Sequence, residues 1–306
     1  MDVSIIYVNY KTSALVINSI ASVKRLTTGI SYEIIVVDNH SEDQSLERIK
    51  DEYPDVICIA SDTNEGFGRA NNIGLKQAKG RNILFLNPDT LLINNAIQRL
   101  SHFLDSTPKA AVCGGNLFDE EGNPTTSLGR RYPSFWLEVL SIFYLSPIIY
   151  PHRNCTYFNF TQQPLQVAVI IGADLMIKQT VLQKCGAFDP VFFMNFEETE
   201  LCRRITQNGY QIYSIPDAHI THLEGKAAYI KQSRLFYYYQ GQYIYFRKIY
   251  GKTGCQWIYR ITQFKNRIRK LQFIILRNKT KQQYWNMKYN TNQEVWNSQP
   301  IQRLFV

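Results

Sequence analysis

The feature that most constrains this chain is a series of short, continuously apolar runs in its first 115 residues. Val3–Asn9, Glu33–Asp38, Val56–Ala60, Asn82–Asn87 and Ala110–Gly114 are such runs, and most end in a polar residue or glycine. Between them, Ser13–Leu26 places Leu15, Ile20, Val23 and Leu26 at helical spacing, and residues 42–52, 67–79 and 94–104 also read as helices. Strands apolar on both faces and joined by helices predict an α/β fold, with a mostly parallel, Rossmann-like sheet flanked by helices. Ligands of such sheets bind at the carboxyl ends of the strands, so the polar residues there are the ones to examine.

Residues 116–165 lose this regularity and are expected to form a long loop with a short helix over the site. Val167–Met176, Tyr210–Ile215 and Ala218–His222 read as strands, and Glu197–Gln207 as a helix stopped by Asn208-Gly209. From Ala227 on, the pattern is helical, aromatic and basic. Charge divides the chain at the same place. Residues 1–225 hold 18 Lys+Arg and 24 Asp+Glu, whereas residues 226–306 hold 16 Lys+Arg and the single acid Glu294. The net charge of +9 is therefore an acidic body at −6 joined to a basic extension at +15. We expect a body at 1–225 and a helical C-terminal extension at 226–306. A uniformly basic nucleic-acid binder is excluded by this segregation.

The start, Met1-Asp-Val-Ser-Ile-Ile, has neither a basic region nor a long apolar one, so no signal peptide is expected. The run Phe135–Tyr150 is broken by Glu138 and Pro147, so no membrane span is expected either. The six cysteines show no CxxC pair and read as thiols of a reducing compartment. The sequons at Asn154, Asn159 and Asn278 read as chance occurrences.

Four places carry residues suited to chemistry. The second strand ends in Asp38-Asn39, where a carboxylate can accept hydrogen bonds from a ribose or a base edge, or can cap the next helix. The fourth ends in Asn87-Pro88-Asp89-Thr90. Proline forces a turn that presents Asp89, and a divalent cation on a diphosphate needs only one or two protein carboxylate oxygens; the same tripeptide is also an ordinary loop. In Asn64-Glu-Gly-Phe-Gly-Arg-Ala-Asn-Asn72, Gly66 and Gly68 allow close backbone approach to a ligand. A dinucleotide fingerprint would sit instead at the first strand-to-helix turn, and Asn9-Tyr-Lys-Thr there has no glycine. Glu197, Glu198 and Glu200 open a helix. Their charges complement its dipole, and crowding raises their pKa values and suits one of them to general-base work. His222 follows a short strand, as a core histidine or a metal ligand.

The order of these pieces is more specific than any one of them. Val3-Ser-Ile-Ile-Tyr-Val-Asn-Tyr10, Ile34-Ile-Val-Val-Asp38-Asn-His-Ser-Glu-Asp43, Asn64–Asn72 and Leu86-Asn-Pro-Asp-Thr90 follow one another. Then come Gly172-Ala-Asp174, Cys185-Gly-Ala-Phe-Asp189, Phe192–Arg203 and Pro216-Asp-Ala-His-Ile-Thr-His222. Together they resemble the family-2 glycosyltransferases, in particular the rhamnosyltransferase-like branch, over roughly residues 2–250. The resemblance implies a GT-A fold and inverting transfer from a nucleotide-diphosphate sugar. It places the donor against Asn9, Asp38, Asn39, Gly66, Phe67, Arg69, Asn72, Asn87, Gly172, Ala173 and Asp174. It gives Asp89, with His222, to Mg²⁺ or Mn²⁺, and Glu198, or its neighbour Glu197, the role of base. Asn87 stands where the family has the first aspartate of its Asp-x-Asp motif, and Glu198 and Glu200 stand where aspartates are frequent. The acceptor implied is a glycan or a lipid-linked sugar of bacterial surface polysaccharide synthesis. That puts the enzyme in the cytoplasm, peripheral on the inner face of the plasma membrane. A silent scaffold of the same fold, binding nucleotide or glycan without transfer, is the alternative.

In the basic extension, Ile261, Phe264, Ile268, Leu271 and Ile275 step by 3, 4, 3 and 4 residues and share one helical stripe. With Lys265, Arg267, Arg269 and Lys270 mostly off that stripe, residues 256–285 suit either an anionic membrane surface or packing within the chain or against a second copy.

Overall fold

The computed structural model describes residues 1–145, 149, 157–223 and 231–303. The apolar runs become strands β1 (Val3–Asn9), β2 (Tyr32–Asp38), β3 (Ile57–Ala60) and β4 (Asn82–Leu86), paired in parallel in the order β3-β2-β1-β4. Their alternating side chains feed two apolar layers, with Val3, Ile5 and Tyr7 in one and Ile6, Ile35 and Ile83 in the other. Each valine or isoleucine fully buried this way contributes about 1.5–3 kcal/mol. Helices Ser13–Leu26 and Gly66–Leu75 cover the layers, the first burying Val16, Ile20 and Val23.

The remaining strands are β5 (Thr90–Leu92), β6 (Ala110–Phe118), β7 (Leu128–Gly129), β8 (Leu165–Val167), β9 (Val169–Ile170), β10 (Asp174–Lys178) and β11 (Gln211–His222). The sheet continues β4-β10-β6-β11-β5, with β8 also on β11, while β7 and β9 form a separate pair. β10 runs antiparallel to both β4 and β6, so the fifth predicted strand does not lie beside the fourth. The two short strands predicted at 210–222 are one strand, β11, whose register against β6 shifts between Ser214 and His219. Pro216 lies in that shift, and having no N–H it cannot continue the ladder. The predicted strand at 167–176 is divided among β8, β9 and β10, and β5 was not predicted.

The chain forms two compact units. One comprises Met1–Tyr132, Cys155–Pro190 and Glu197–Ala228, and contains the sheet. The other comprises Pro133–Asn154, Val191–Phe196 and Tyr229–Val306. Its helices Phe135–Ile142, Lys231–Ile275, Lys279–Asn297 and Gln299–Gln302 enclose an aromatic core that includes Phe192, Phe196, Tyr243, Tyr245 and Phe246. Tyr259 and Trp296 stack in this unit at 4.3 Å. The 45-residue helix is kinked at Gly251.

The apolar stripe of the extension is only partly buried, with Ile261 and Ile268 half-buried. Phe264, Leu271 and Ile275 are 55%, 52% and 80% exposed, while Cys255, Ile258, Thr262, Asn266 and Arg269 form the covered side. Two of the polar groups on the covered side have donor partners there: Asn266 donates to the Tyr239 hydroxyl, and Arg269 to the Ser141 carbonyl.

Cys58, Cys113, Cys185, Cys202 and Cys255 are free thiols, and Cys155 lies outside the described residues. Asn159 is 1% exposed and donates to the carbonyls of Gln163 and Ser214, so its sequon is closed to modification in the fold. Asn278 caps a helix through the Lys281 N–H, and Asn154 lies outside the described residues. Among the described residues no helix is long and apolar enough to cross a membrane.

Candidate active site

At the carboxyl ends of β1 and β2, Asn9 and Asp38 are register partners. The Asn9 amide donates to Asp38 Oδ1 at 2.6 Å, and Ser41 donates to Asp38 twice, from its hydroxyl at 2.6 Å and its backbone N–H at 3.0 Å. Asn39 extends the framework sideways. Its amide donates to Asn64 Oδ1 and to the Gly66 carbonyl, both at 3.0 Å, and its side-chain oxygen accepts from the Glu65 N–H. Gly66, the first residue of its helix, has φ 74°, a left-handed conformation that favours glycine. Asp38 and Asn39 are thereby held against the glycine-containing turn. Ser41 and Asn64 complete this network. Both lie in the segments that carry the family resemblance, three residues after Asp38 and two before Gly66.

Past β4, the Asn87 N–H donates to the Ala173 carbonyl at 2.9 Å, and the Thr90 hydroxyl returns to the Asn87 carbonyl at 2.7 Å. This turn sets Asp89 beside His222, because His222 is the register partner of Thr90 across β5 and β11. Asp89 Oδ1 and His222 Nε2 are 3.4 Å apart, with side chains only 9% and 11% exposed. A carboxylate oxygen and an imidazole nitrogen are donors that Mn²⁺ accepts, and Mg²⁺ is served by the carboxylate. Adjacent ligands of an octahedral ion lie about 3 Å apart, so the pair fits one such ion. Among the described residues no group of three or more His, Cys, Asp and Glu is placed to hold an ion. Two protein donors leave positions for phosphate oxygens and water.

Asp174, two residues beyond Gly172, is fully buried, and its Oδ2 accepts from the Gly115 N–H. Burial pushes this carboxyl well above the usual carboxylate range. The sequence grouped Asp174 with the donor-binding residues; the structure sets its side chain within the sheet, while its neighbour Ala173 holds the Asn87 turn.

The acidic helix begins at Glu197. Glu197 is 4% exposed, its Oε2 has no hydrogen-bond partner, and burial together with the charge of Glu198 pushes its pKa well up. Glu198 is half-buried, and burial raises it too, opposed by hydrogen bonds from its own and the Thr199 backbone and from the Thr199 hydroxyl. Glu200 is not part of this pair. Its carboxylate takes Arg204 on both oxygens, at 2.9 and 3.2 Å. The same guanidinium donates to the carbonyls of Cys185, Gly186 and Ala187. Arg204 thus clamps the loop that leads to Phe188, a role whose only local trace in the sequence was its four-residue spacing from Glu200.

Phe188 is held against the glycine turn. Its backbone N–H and carbonyl both bond the Asn72 side-chain amide, at 3.1 and 2.8 Å. A Cβ on Gly68 would lie 3.1 Å from Phe188 Cβ and 3.6 Å from Glu197 Cβ, so glycine permits this close approach. Phe67 meets Phe188 edge-on and reaches to 3.3 Å from the Cβ position of Gly172. Arg69 turns back onto Glu65, through its carbonyl at 2.9 Å and its carboxylate at 3.3 Å. A continuous set of contacts thus runs from Asp38 and Asn39 through Gly66–Asn72 to Phe188 and Glu197, and through Phe67 to Gly172. Ala173, Asn87, Asp89 and His222 continue it along the backbone.

A central sheet of this order, with β10 antiparallel between β4 and β6, β5 and β8 antiparallel on β11, and its polar cluster at the strand ends, is a GT-A fold. Solved structures with which it aligns include the mannosyltransferase PcManGT from Pyrobaculum calidifontis in complex with GDP-Man and Mn²⁺. That alignment has a TM-score of 0.59 and 15% identity and covers 96% of this chain and 86% of that one. A second is GalNAc-T7 with UDP, GalNAc and Mn²⁺, with a TM-score of 0.58 and 18% identity over 83% of this chain and 51% of that one. At these identities the likeness is one of fold.

Sequence carries the assignment further. The profile of glycosyl transferase family 2 matches residues 4–186, and the chain belongs to that family. It is similar to the dTDP-rhamnosyl transferase RfbF of Shigella flexneri, at 26% identity over 63% of this chain and 60% of that protein. It is also similar to the low-salt glycan biosynthesis hexosyltransferase Agl10 of Haloferax volcanii, at 26% over 69% of this chain and 64% of that protein. The rhamnosyltransferase WbbL of Escherichia coli K12 matches at 25% over 62% of this chain and 72% of that protein. The chain thus spans somewhat under two thirds of the length of the first two relatives. Within family 2 it is rhamnosyltransferase-like.

Proposed function

We propose that this protein is an inverting glycosyltransferase of polysaccharide synthesis, moving rhamnose or another hexose from a nucleotide-diphosphate donor to a glycan or lipid-linked acceptor. The observation that carries the reading is the connected framework just described, which joins an Asp89–His222 pair to a Glu197–Glu198 pair. The names of the relatives and the ligands of the aligned structures support the choice of donor.

Asp38 has about four lone-pair positions and spends three on Asn9 and Ser41, leaving one on Oδ2 for a donor group of the nucleoside. Asp89 and His222 would hold Mg²⁺ or Mn²⁺, which supplies charge stabilisation to a departing diphosphate. Glu198 is the base. It is the more exposed of the pair, and its raised pKa brings it nearer the value at which a carboxylate removes a proton efficiently near neutrality. It takes the proton of the acceptor hydroxyl as that oxygen bonds to the anomeric carbon. The carbon–oxygen bond to the diphosphate breaks on the opposite face, which inverts the centre. Glu197, buried beside it, has its own pKa pushed well up by burial and by the charge of Glu198, so of the two carboxyls it is the less suited to take a proton.

A thermal-shift screen of nucleotide-diphosphate sugars tests the donor half of this reading, because a ligand bound to the native state raises its stability. A subset of donors should stabilise the protein more with Mn²⁺ than without it. No stabilisation by any of them, at concentrations that saturate family members, would remove the nucleotide-sugar assignment.

A further inference from the structure

The helix Lys231–Ile275 leaves one face uncovered beyond its kink. Its covered side, Cys255, Ile258, Thr262, Asn266 and Arg269, is held by partners of the same unit. Asn266 donates to the Lys288 carbonyl as well as to Tyr239, Lys265 bonds Glu138 at 2.5 Å, and the Arg269 guanidinium lies over the Tyr144 ring. The other side reads Trp257, Arg260, Phe264, Arg267, Leu271 and Ile274, at steps of 3, 4, 3, 4 and 3. At 3.6 residues per turn these fall within an arc of about 100° and span about 26 Å. The four apolar members are 52%, 55%, 52% and 43% exposed in chain order, and both arginines are exposed. The stripe ends in Ile275 at 80% and Leu276 at 61%.

Large apolar side chains lined up in water mark a surface that meets something. The alternation with arginine narrows the choice of partner. A second copy would bring together two segments of net charge +15 each, setting like charge against like charge. A partner that is negative at its surface and apolar just beneath satisfies both components. We propose that this face lies on an anionic lipid bilayer, with Trp257, Phe264, Leu271 and Ile274 inserted at the level of the headgroups and acyl chains, and Arg260 and Arg267 on lipid phosphates. The surface is independent of the transfer reaction, and the failure of either leaves the other standing.

The test is co-sedimentation of the full chain with vesicles of phosphatidylglycerol and phosphatidylcholine in equal parts, against vesicles of phosphatidylcholine alone. The wild type should partition to the anionic vesicles and be released by salt. An F264S/L271S/I274S variant should lose at least about 10-fold in partitioning. R260Q/R267Q should lose about 30-fold, at about 1 kcal/mol per arginine. All these residues are exposed, so both variants should unfold at the wild-type temperature and keep wild-type donor binding. Equal partitioning to the two vesicle types, or wild-type binding by the triple-serine variant, would overturn the proposal. So would a wild-type dimer that the serine variant converts to monomer while neither protein binds vesicles, since a second copy would then cover the face.

Discussion

Replacing Arg204 with alanine should destabilise the sheet-containing unit by about 3 kcal/mol. The guanidinium makes five hydrogen bonds, two to the carboxylate of Glu200 and three to the consecutive carbonyls of Cys185, Gly186 and Ala187. Glu200 is 3% exposed at its side chain and Arg204 is 24% exposed. Removing one partner of a buried ion pair costs about 3–5 kcal/mol, because the remaining charge keeps its desolvation penalty. The partial exposure of Arg204 puts the expected loss at the lower end. Urea unfolding followed by far-ultraviolet circular dichroism, with wild type and variant compared by midpoint and slope, measures it. Arg204→Lys should recover less than about 1 kcal/mol, since an ammonium cannot reproduce a planar fork on one carboxylate and three carbonyls. The clamped loop leads to Phe188, which packs on the glycine turn where Glu197 also comes close to Gly68, so the variant should also turn over more slowly at temperatures where it remains folded. A loss below about 1 kcal/mol, or a lysine variant as stable as wild type, would refute the clamp.

Three further outcomes are expected. Asp89→Ala should abolish the extra stabilisation of the protein by donor in the presence of Mn²⁺ while leaving its melting temperature without ligand near wild type; unchanged donor affinity with and without Mn²⁺ removes Asp89 from the metal. Asp174 has a folded-state pKa raised by burial, so its contribution to stability is fully present below the ordinary carboxylate value near 3.9 and is lost as pH rises from there towards the folded value. Asp174→Asn should therefore flatten the fall of unfolding free energy with pH by up to about 1.4 kcal/mol per unit within that window, and an unchanged slope would contradict the assignment. Glu198→Gln should lower turnover by about 100-fold or more with donor affinity retained, whereas Glu197→Gln, which replaces a carboxyl that burial already holds towards its neutral form, should keep most of the turnover. Reversal of these two effects would exchange the roles.

The strands β1 to β4 and the residues at their ends were legible in the sequence because a doubly covered parallel sheet requires continuous apolar runs, and each run ends where the ligand side begins. The place of β10 was not legible. Its residues announce a strand, but nothing local specifies that Met176 pairs with Leu84 on one side and Cys113 on the other. The continuity of β11 through Pro216 was hidden for the same reason, since a proline reads as a stop unless the strand can bulge. In the acidic segment, three consecutive-looking carboxylates turned out to be one pair and one ion-paired glutamate, separated by the four-residue spacing to Arg204. In the extension, periodicity identified residues sharing a face, but the covered face is the one carrying Thr262, Asn266 and Arg269. Hydrogen-bond partners from the helices Phe135–Ile142 and Lys279–Asn297 decide that, and they lie 16 or more residues away in sequence.

The central claim is that Glu198, at the start of the acidic helix, removes the acceptor proton during transfer of a sugar from a nucleotide diphosphate. The most direct measurement is the release of nucleoside diphosphate by the purified full chain, with Mn²⁺, a donor selected by stabilisation and a glycan acceptor, in wild type and Glu198→Gln side by side. Acceptor-dependent release by the wild type, reduced by about 100-fold or more in the variant while the donor still binds, is the predicted result. Donor binding without any release by the wild type, or equal release by both proteins, would contradict it.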